Sequence, residues 1–319
     1  MSKSRSHRPS PGAQPRHLPS TRQLRYFVAL ERIGHFGRAA EACFVSQSAF
    51  SVAIRDLERL LGLRLVERSK RRVTITPEGR EVATQARLCL RDLEGLLDLA
   101  RERGRPLAGP LRLGVIPTIA PFLLPAVLPR IRRKYPELQL YIREGLTDDL
   151  LGELRNGSLD LALFAMPYPV DNIEVMRLFR DRFMLAAREG TRLVDPRKFA
   201  VSRLSADSIL LLEEGHCLRE HALAACRLRD RAKLSRFAAS SLLTLLEMVA
   251  SDLGVTFLPE MAVGSGLLRA TPVRTWPLRE TSFREIALGW RKSSARGAEY
   301  RTLGAMFRPP ARDTGKRNA

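Results

Sequence analysis

The chain has 319 residues, 45% of them apolar and 28% charged, which is the balance of a globular protein with core enough for two or three domains. Its formal net charge of +20 favours a polyanionic partner through counterion release, although the basic residues are spread along the whole chain. No apolar run approaches the ~18 residues a membrane span needs, and Lys3, Arg5, Arg8 and Arg16 stand without the apolar segment of a secretory signal.

Pro9, Pro11, Pro15 and Pro19 mark residues 1–19 as a disordered basic arm. Leu24, Phe27, Val28, Leu30 and Ile33 then recur at helical spacing, and Gly34 ends that helix. Residues 37–43 read as a short second helix. Phe44-Val45 makes a tight turn, and Ser46 caps a third helix to about Leu60. In this third helix Phe50, Ile54, Leu57 and Leu61 form the buried stripe. Gln47, Ser48, Ser51 and Arg55 lie on or near the opposite face. Such a helix-turn-helix presents short polar side chains to base edges in the major groove, so the expected partner is promoter DNA. Gln47, Ser48 and Ser51 are the candidates for base contact.

Leu65-Val66 and Val73-Thr74-Ile75 look like two short strands, with Arg68, Lys70, Arg71 and Arg72 at the tip between them. Alone, such a run is a solvated turn; directly after a helix-turn-helix it is a wing resting on phosphate. From Val82 the apolar positions Ala86, Cys89, Leu93, Leu96 and Ala100 follow in alternating steps of four and three. That is the seam of a dimerising helix from Pro77 to Glu102, in which Cys89 reads as a small core residue. Gly104, Pro106, Gly109 and Pro110 mark a hinge.

Phe36-Gly37-Arg38-Ala39-Ala40, Val45-Ser46-Gln47-Ser48, Ile54-Arg55-Asp56-Leu57-Glu58, Leu65-Val66-Glu67-Arg68 and Thr76-Pro77-Glu78-Gly79 occur in that order. Together they closely resemble the LysR-type transcription regulators, many of which have proline where Ser48 stands. The resemblance implies a winged helix-turn-helix and linker helix, followed by an α/β regulatory domain. That domain would have two Rossmann-like subdomains, like periplasmic binding proteins, joined by two crossing strands. The implied boundaries are a DNA-binding domain at 20–79, a linker helix at 80–104 and a regulatory domain at 111–308, with a tail at 309–319. Subdomain I would take about 111–183 and 287–308, and subdomain II about 184–286. The expected assembly is a homodimer or a homotetramer built as a dimer of dimers.

The residues of this second half agree with an α/β reading. Strand patterns at 111–116, 138–142, 161–164, 209–212, 255–257 and 286–288 alternate with helical patterns at 122–133, 146–155, 242–250 and near Glu299, which predicts a parallel sheet. GxGxxG, GxxxxGK, GxSxG and HExxH are all absent, so neither a nucleotide site nor a hydrolase has a foothold and no cofactor is expected.

Four cysteines, Cys43, Cys89, Cys217 and Cys226, are too few for a disulfide scaffold and suit a reducing, cytoplasmic setting, where a disulfide is transient and functional. Cys217 follows a strand and Gly215, at the expected N-terminus of a helix whose dipole stabilises a thiolate, with His216 and Arg219 able to add positive charge. A thiolate attacks peroxide to give a sulfenic acid, and Cys226 is the nearby second thiol. Along one helix the two Cα atoms would stand about 13 Å apart, beyond the ~7 Å a disulfide spans. The residues alone leave other readings open. The pair can be two ordinary buried cysteines, Cys217, His221 and Cys226 can be zinc ligands, or the regulator can sense a metabolite in the cleft between subdomains.

Gly215-His216-Cys217-Leu218-Arg219 with Cys226 resembles the redox segment of hydrogen-peroxide-sensing members of the LysR-type family. Ile116-Pro117-Thr118, Leu123-Leu124-Pro125, Leu258-Pro259 and the Arg284 strand extend the likeness. It implies that Cys217 is the peroxidatic thiol and Cys226 the resolving thiol, with Thr118, Thr147, His216 and Arg284 around the peroxide. RNA polymerase and cellular thiol reductants are then implied partners, and the protein is a regulator, not an enzyme. Glu220-His221 stands where those members commonly have Asp-Gln, and residues 188–205 match poorly.

Overall fold

Helix α1 (Thr21–Ile33) begins at a capping box in which Ser20 and Gln23 satisfy each other's backbone N–H groups, and it ends at Gly34 in the left-handed region. This computed structural model describes residues 17–68, 73–101, 107–195, 199, 204–225, 231–278 and 282–309, in two compact units, Met1–Leu93 and Glu94–Ala319.

In the first unit α2 (Phe36–Ala42) and α3 (Gln47–Leu61) follow, each capped by a side chain, His35 for α2 and Ser46 for α3. Phe27, Leu30, Phe50, Ile54 and Leu57 are fully buried, while the predicted fourth residue of the α3 stripe, Leu61, is only half-buried. Phe50 stacks on Tyr26 at 5.0 Å and meets the edge of Phe36 at 6.1 Å, which fixes α3 across α1 and α2. The wing strands β1 (Val66–Arg68) and β2 (Val73–Ile75) pair antiparallel. Glu58 Oε1 accepts from the N–H groups of Leu65 (2.9 Å) and Val66 (3.1 Å), tying α3 to the wing. Thr76 Oγ1 accepts from Gly79 N–H (2.9 Å) at the start of α4 (Pro77–Arg101). In α4, Ala83 and Ala86 are buried, whereas Cys89, Leu93 and Leu96 are exposed, so within one chain Cys89 is not a core residue.

The second unit holds two hydrophobic cores. Under the first, β3 (Gly109–Val115) pairs parallel with β4 (Leu138–Glu144) and β5 (Leu161–Met166). β6 (Ile173–Arg188) and β11 (Phe283–Arg291) complete that layer, β5 pairing antiparallel with β11 and β11 with β6. The sixteen residues of β6 run on into the second core, where β9 (Thr256–Pro259) and β10 (Val273–Pro277) pair antiparallel with it. β7 (Ile209–Leu212) and β8 (Leu234–Ala239) form a parallel pair there. Helices α5 (Ala120–Lys134), α6 (Thr147–Arg155), α7 (Cys217–Ala225), α8 (Leu242–Ala250), α9 (Glu260–Gly264) and α10 (Gly297–Met306) cover the sheets.

The predicted fold class holds: a winged helix-turn-helix and long helix, then an α/β unit with two cores and two crossing strands. The all-parallel sheet does not, because the crossing strands and their neighbours pair antiparallel. β6, β8, β10 and α9 were not anticipated. Pro125 and Pro129 are tolerated inside α5 because both face outward, where a lost backbone bond is replaced by water.

Candidate functional site

Two groups of predicted residues occupy separate units. In the first unit Gln47, Ser48 and Arg55 are exposed on α3 and Ser51 is half-buried between them and the core. Ser46 Oγ and Ser48 Oγ are 3.1 Å apart. Phe44, 95% exposed with φ +57°, stands on the turn before α3. Arg68 ends β1, and Lys70, Arg71 and Arg72 lie outside the described residues.

In the second unit the strand β7 ends at Leu212, and a turn through Gly215 (φ +94°) delivers Cys217 as the first residue of α7. Only glycine adopts that φ without strain. Cys217 is 7% exposed and belongs to the first core, while Leu218 and Ala222 of the same helix belong to the second. The thiol therefore sits at the seam of the two cores.

Three of the predicted residues meet it there. Thr118 follows β3, Thr147 opens α6 and His216 precedes α7. With Cys217, Pro117 and Leu146 they line a closely packed crevice that leaves no room for even a water-sized molecule. Arg284 is fully buried behind Thr118 and is not part of the lining. Its Nη1 donates to Thr118 Oγ1 (2.8 Å) and its Nη2 to the Thr118 carbonyl (2.9 Å). Its Nε donates to Asp181 Oδ2 (3.0 Å), and Asp181 Oδ1 accepts the N–H of Met261 (3.0 Å). Asp181, on the crossing strand β6, was missed by the sequence reading. Nothing local marks it, since its partner is 103 residues away.

The electrostatics differ from the expected ones in two respects. Burial pushes the Cys217 thiol above its ordinary value, against the opposing pull of the Thr147 hydroxyl, the Arg284 cation and the backbone N–H groups of Ala165 and Cys217. Burial outweighs these four influences together. His216 was expected to add positive charge, but burial lowers its pKa, against the raising influence of Glu213, so at neutral pH it is an uncharged imidazole. Arg219 instead donates to the Leu212 carbonyl (3.1 Å), and the cation acting on the sulfur is Arg284.

His221, raised above as a metal ligand, is buried with its Nε2 2.9 Å from the Pro167 carbonyl. Cys217 is a free thiol, and Cys226 lies outside the described residues. Among the described residues no helix is long and apolar enough to cross a membrane.

A separate cleft of about 940 Å³ lies between α5, the crossing strands and α9. Phe122, Phe179 and Phe283 give it apolar walls, and Arg130 and Arg182 line it without an ion pair among the described residues.

Comparison with known proteins matches residues 21–80 to the bacterial regulatory helix-turn-helix protein, lysR family, and residues 104–310 to the LysR substrate binding domain. The HTH-type transcriptional regulator EstR of Acinetobacter baylyi is 39% identical over 284 residues, covering 89% of this chain and 94% of that protein. The DNA-binding transcriptional dual regulator OxyR of Escherichia coli is 36% identical over 287 residues, 90% of this chain and 94% of that one. Among solved structures, a full-length OxyR cysteine variant from Pseudomonas aeruginosa is 35% identical, with a TM-score of 0.78 over 92% of this chain and 96% of that chain.

Proposed function

The chain belongs to the LysR family of DNA-binding transcription regulators, and from that premise we propose that it senses hydrogen peroxide through Cys217 and controls oxidative-stress genes. The observation that carries this reading is the buried thiol at the seam of two cores, facing Thr118 and Thr147 in a crevice with a guanidinium behind it. The likeness to OxyR proteins along nearly the whole chain supports it.

The chemistry requires a thiolate. Cys217 loses its proton, and the sulfur attacks one peroxide oxygen. The O–O bond breaks, leaving Cys217 as a sulfenic acid, and the departing hydroxide takes up a proton to leave as water. Once the crevice opens enough to admit it, hydroxyls of Thr118 and Thr147 can hold the peroxide, and the Arg284 charge favours both the thiolate and the negative charge growing on the leaving oxygen. The Cys226 thiol then attacks the sulfenic sulfur, water leaves, and a disulfide remains. Cellular thiol reductants return both cysteines to thiols by thiol–disulfide exchange.

The geometry of α7 makes that bond a conformational event. Its nine residues set its own ends about 12 Å apart, whereas a disulfide needs Cα atoms within ~7 Å. Linking Cys217 to Cys226 therefore unwinds α7 and pulls Cys217 out of the first core. The exposed seam of α4 pairs two chains, two such dimers form the tetramer, and rearrangement of the regulatory units alters the spacing of the DNA-binding units on promoter DNA, toward recruitment of RNA polymerase. In that contact Gln47, Ser48 and Ser51 read bases and Arg55, Arg68, Lys70, Arg71 and Arg72 neutralise phosphate.

The test is mass spectrometry after stoichiometric peroxide. A linked Cys217–Cys226 peptide is expected from the native chain, and Cys217→Ser should bind DNA but never switch. A second reading rests on the cleft beside Arg130 and Arg182 and on the likeness to EstR: a metabolite-responsive regulator. It requires full induction with both cysteines replaced.

A further inference from the structure

We propose that His221 is a latch, a positioning residue that clamps α7 to the loop after β5 and so sets how readily the segment behind Cys217 rearranges. The inference rests on the redox reading of Cys217 and Cys226 and adds to it the element that holds the reduced form closed.

His221 lies one helical turn after Cys217, so both point to the same side of α7. Both are buried. His221 Nε2 reaches the carbonyl of Pro167 at 2.9 Å, in the loop that leaves the first-core strand β5. Two residues before Pro167, Ala165 offers its N–H to the Cys217 sulfur. The next residue, Tyr168, hydrogen-bonds Asp148 in the first turn of α6. This short loop is thus tied to α6 on one side and to α7 on the other, around the thiol. Arg219, the other polar anchor of α7, donates to Leu212 of its own side and pairs with the neighbouring Glu220 of the same helix. Unwinding α7 must break the His221 bond.

The bond also fixes which ring nitrogen carries a hydrogen. A carbonyl only accepts, so Nε2 carries the hydrogen and Nδ1 carries the lone pair. Nδ1 is buried and has no partner among the described residues. A second proton would place an unpaired N–H and a positive charge in that site. The charged groups acting there are Arg284 on β11, which opposes the proton, and Glu220 on α7 itself, which favours it; the Cys217 thiol is one turn away. Burial is the largest influence and lowers the His221 pKa, outweighing the bond to Pro167, which favours the proton. The ring is therefore held neutral while α7 is closed, by burial and by the missing acceptor at Nδ1, even though the Nε2–H bond itself would tolerate the second proton. Once α7 unwinds, His221 returns to water and to a pKa of about 6.5. The rearranged form then binds one more proton as pH falls below that value, which favours it by up to about tenfold per pH unit, or roughly 30 mV for a two-electron couple, until the buried ring also takes the proton.

The experiment uses the full-length chain in graded glutathione buffers, scoring the Cys217–Cys226 link by mass spectrometry at pH 7.5 and pH 5.5. His221→Ala is expected to become linked at a redox ratio about tenfold more reducing than the native chain at pH 7.5, the effect of one lost buried hydrogen bond. His221→Gln keeps an N–H donor but cannot titrate. It should stay within about threefold of the native chain at pH 7.5, yet lack the native chain's extra bias toward linkage at pH 5.5. Promoter binding by the reduced variants checks the fold, and if His221→Ala fails that check the pH response of His221→Gln decides alone. A native chain that links while both variants show its midpoint and its pH response overturns the latch and leaves the redox reading intact. A native chain that never links removes both.

Discussion

Arg284 and Asp181 lie side by side in the interior of the second unit, Nε to Oδ2 at 3.0 Å, each on a different crossing strand. The pair is the floor of the thiol site, because the same guanidinium holds Thr118 by two further bonds. Removing one partner leaves the other charged and buried. Arg284→Met should therefore destabilise the second unit by about 3–5 kcal/mol, and Arg284→Met with Asp181→Leu by clearly less. Trp276 and Trp290 both belong to this unit, so thermal unfolding followed by tryptophan fluorescence reports on it directly. The single variant also carries a pH signature. Burial already raises the Asp181 carboxyl while Arg284 pulls it down; without the cation the folded form binds a proton more tightly than the unfolded form. Stability of Arg284→Met should thus rise as pH falls from 8 toward 5. A flat profile would mean that Asp181 is not held in the interior as described.

The raised pKa of Cys217 predicts how peroxide reactivity depends on pH. With the thiol above its ordinary value, only a small thiolate fraction exists at neutral pH. In Cys226→Ser, which isolates the first step, the rate of sulfenic acid formation should climb about tenfold per pH unit between 6.5 and 8.5. Thr147→Val removes a hydroxyl that favours the thiolate and should lower the rate at every pH in that range. Stopped-flow peroxide consumption is the measurement. A plateau below pH 7 would show instead a thiol with a depressed pKa, held there by more than Arg284 and Thr147.

The reach of the sequence reading follows from how local each signal is. The helix-turn-helix was legible because Ser46, Phe50, Ile54 and Leu57 encode cap and buried stripe within a dozen residues. β6 was not, because it crosses from one core to the other and the buried face changes along its length, which erases the alternation of a half-buried strand. Its arginines at 177, 180 and 182 further disguise it. At the thiol site Thr118, Thr147 and His216 came from family likeness, and the structure brings them together around Cys217. Asp181 was beyond reach, since an ion-pair partner 103 residues distant leaves no spacing to read. His221 was noticed as a possible metal ligand and as a departure from the family's Asp-Gln, not as a latch; its bond to Pro167 depends on a loop whose position the sequence does not encode locally.

Two residues of the family signature have a structural duty that can be tested apart from DNA contact. Gly79 packs so closely that a Cβ there would lie 2.3 Å from the Leu65 carbonyl oxygen. Gly79→Ala must push α4 off the wing, at about 1–3 kcal/mol. Glu58→Ala leaves the N–H groups of Leu65 and Val66 without their acceptor, at a similar cost. Hydrogen exchange of peptides spanning residues 58–79 should show opening at least about tenfold more frequent in either variant, with the second unit unaffected. Unchanged protection in Gly79→Ala would mean that the close approach relaxes without cost.

The exposed part of α4 makes the last prediction. Leu93 and Leu96 are 40% and 60% exposed in the single chain, three residues apart on the predicted seam, while Ala83 and Ala86 of the same helix are buried within the first unit. Large apolar residues at heptad spacing on a long charged helix fit a helix-pairing seam, and the symmetric cover is a second copy. Leu93→Glu with Leu96→Glu places carboxylates opposite each other across such a seam and should split the assembly, seen as a lighter species in sedimentation velocity. Each freed DNA-binding unit then grips one half-site. The dependence of promoter affinity on salt should fall to about half the native slope, because the number of neutralised phosphates halves. An unchanged sedimentation profile would place the pairing surface elsewhere on the chain.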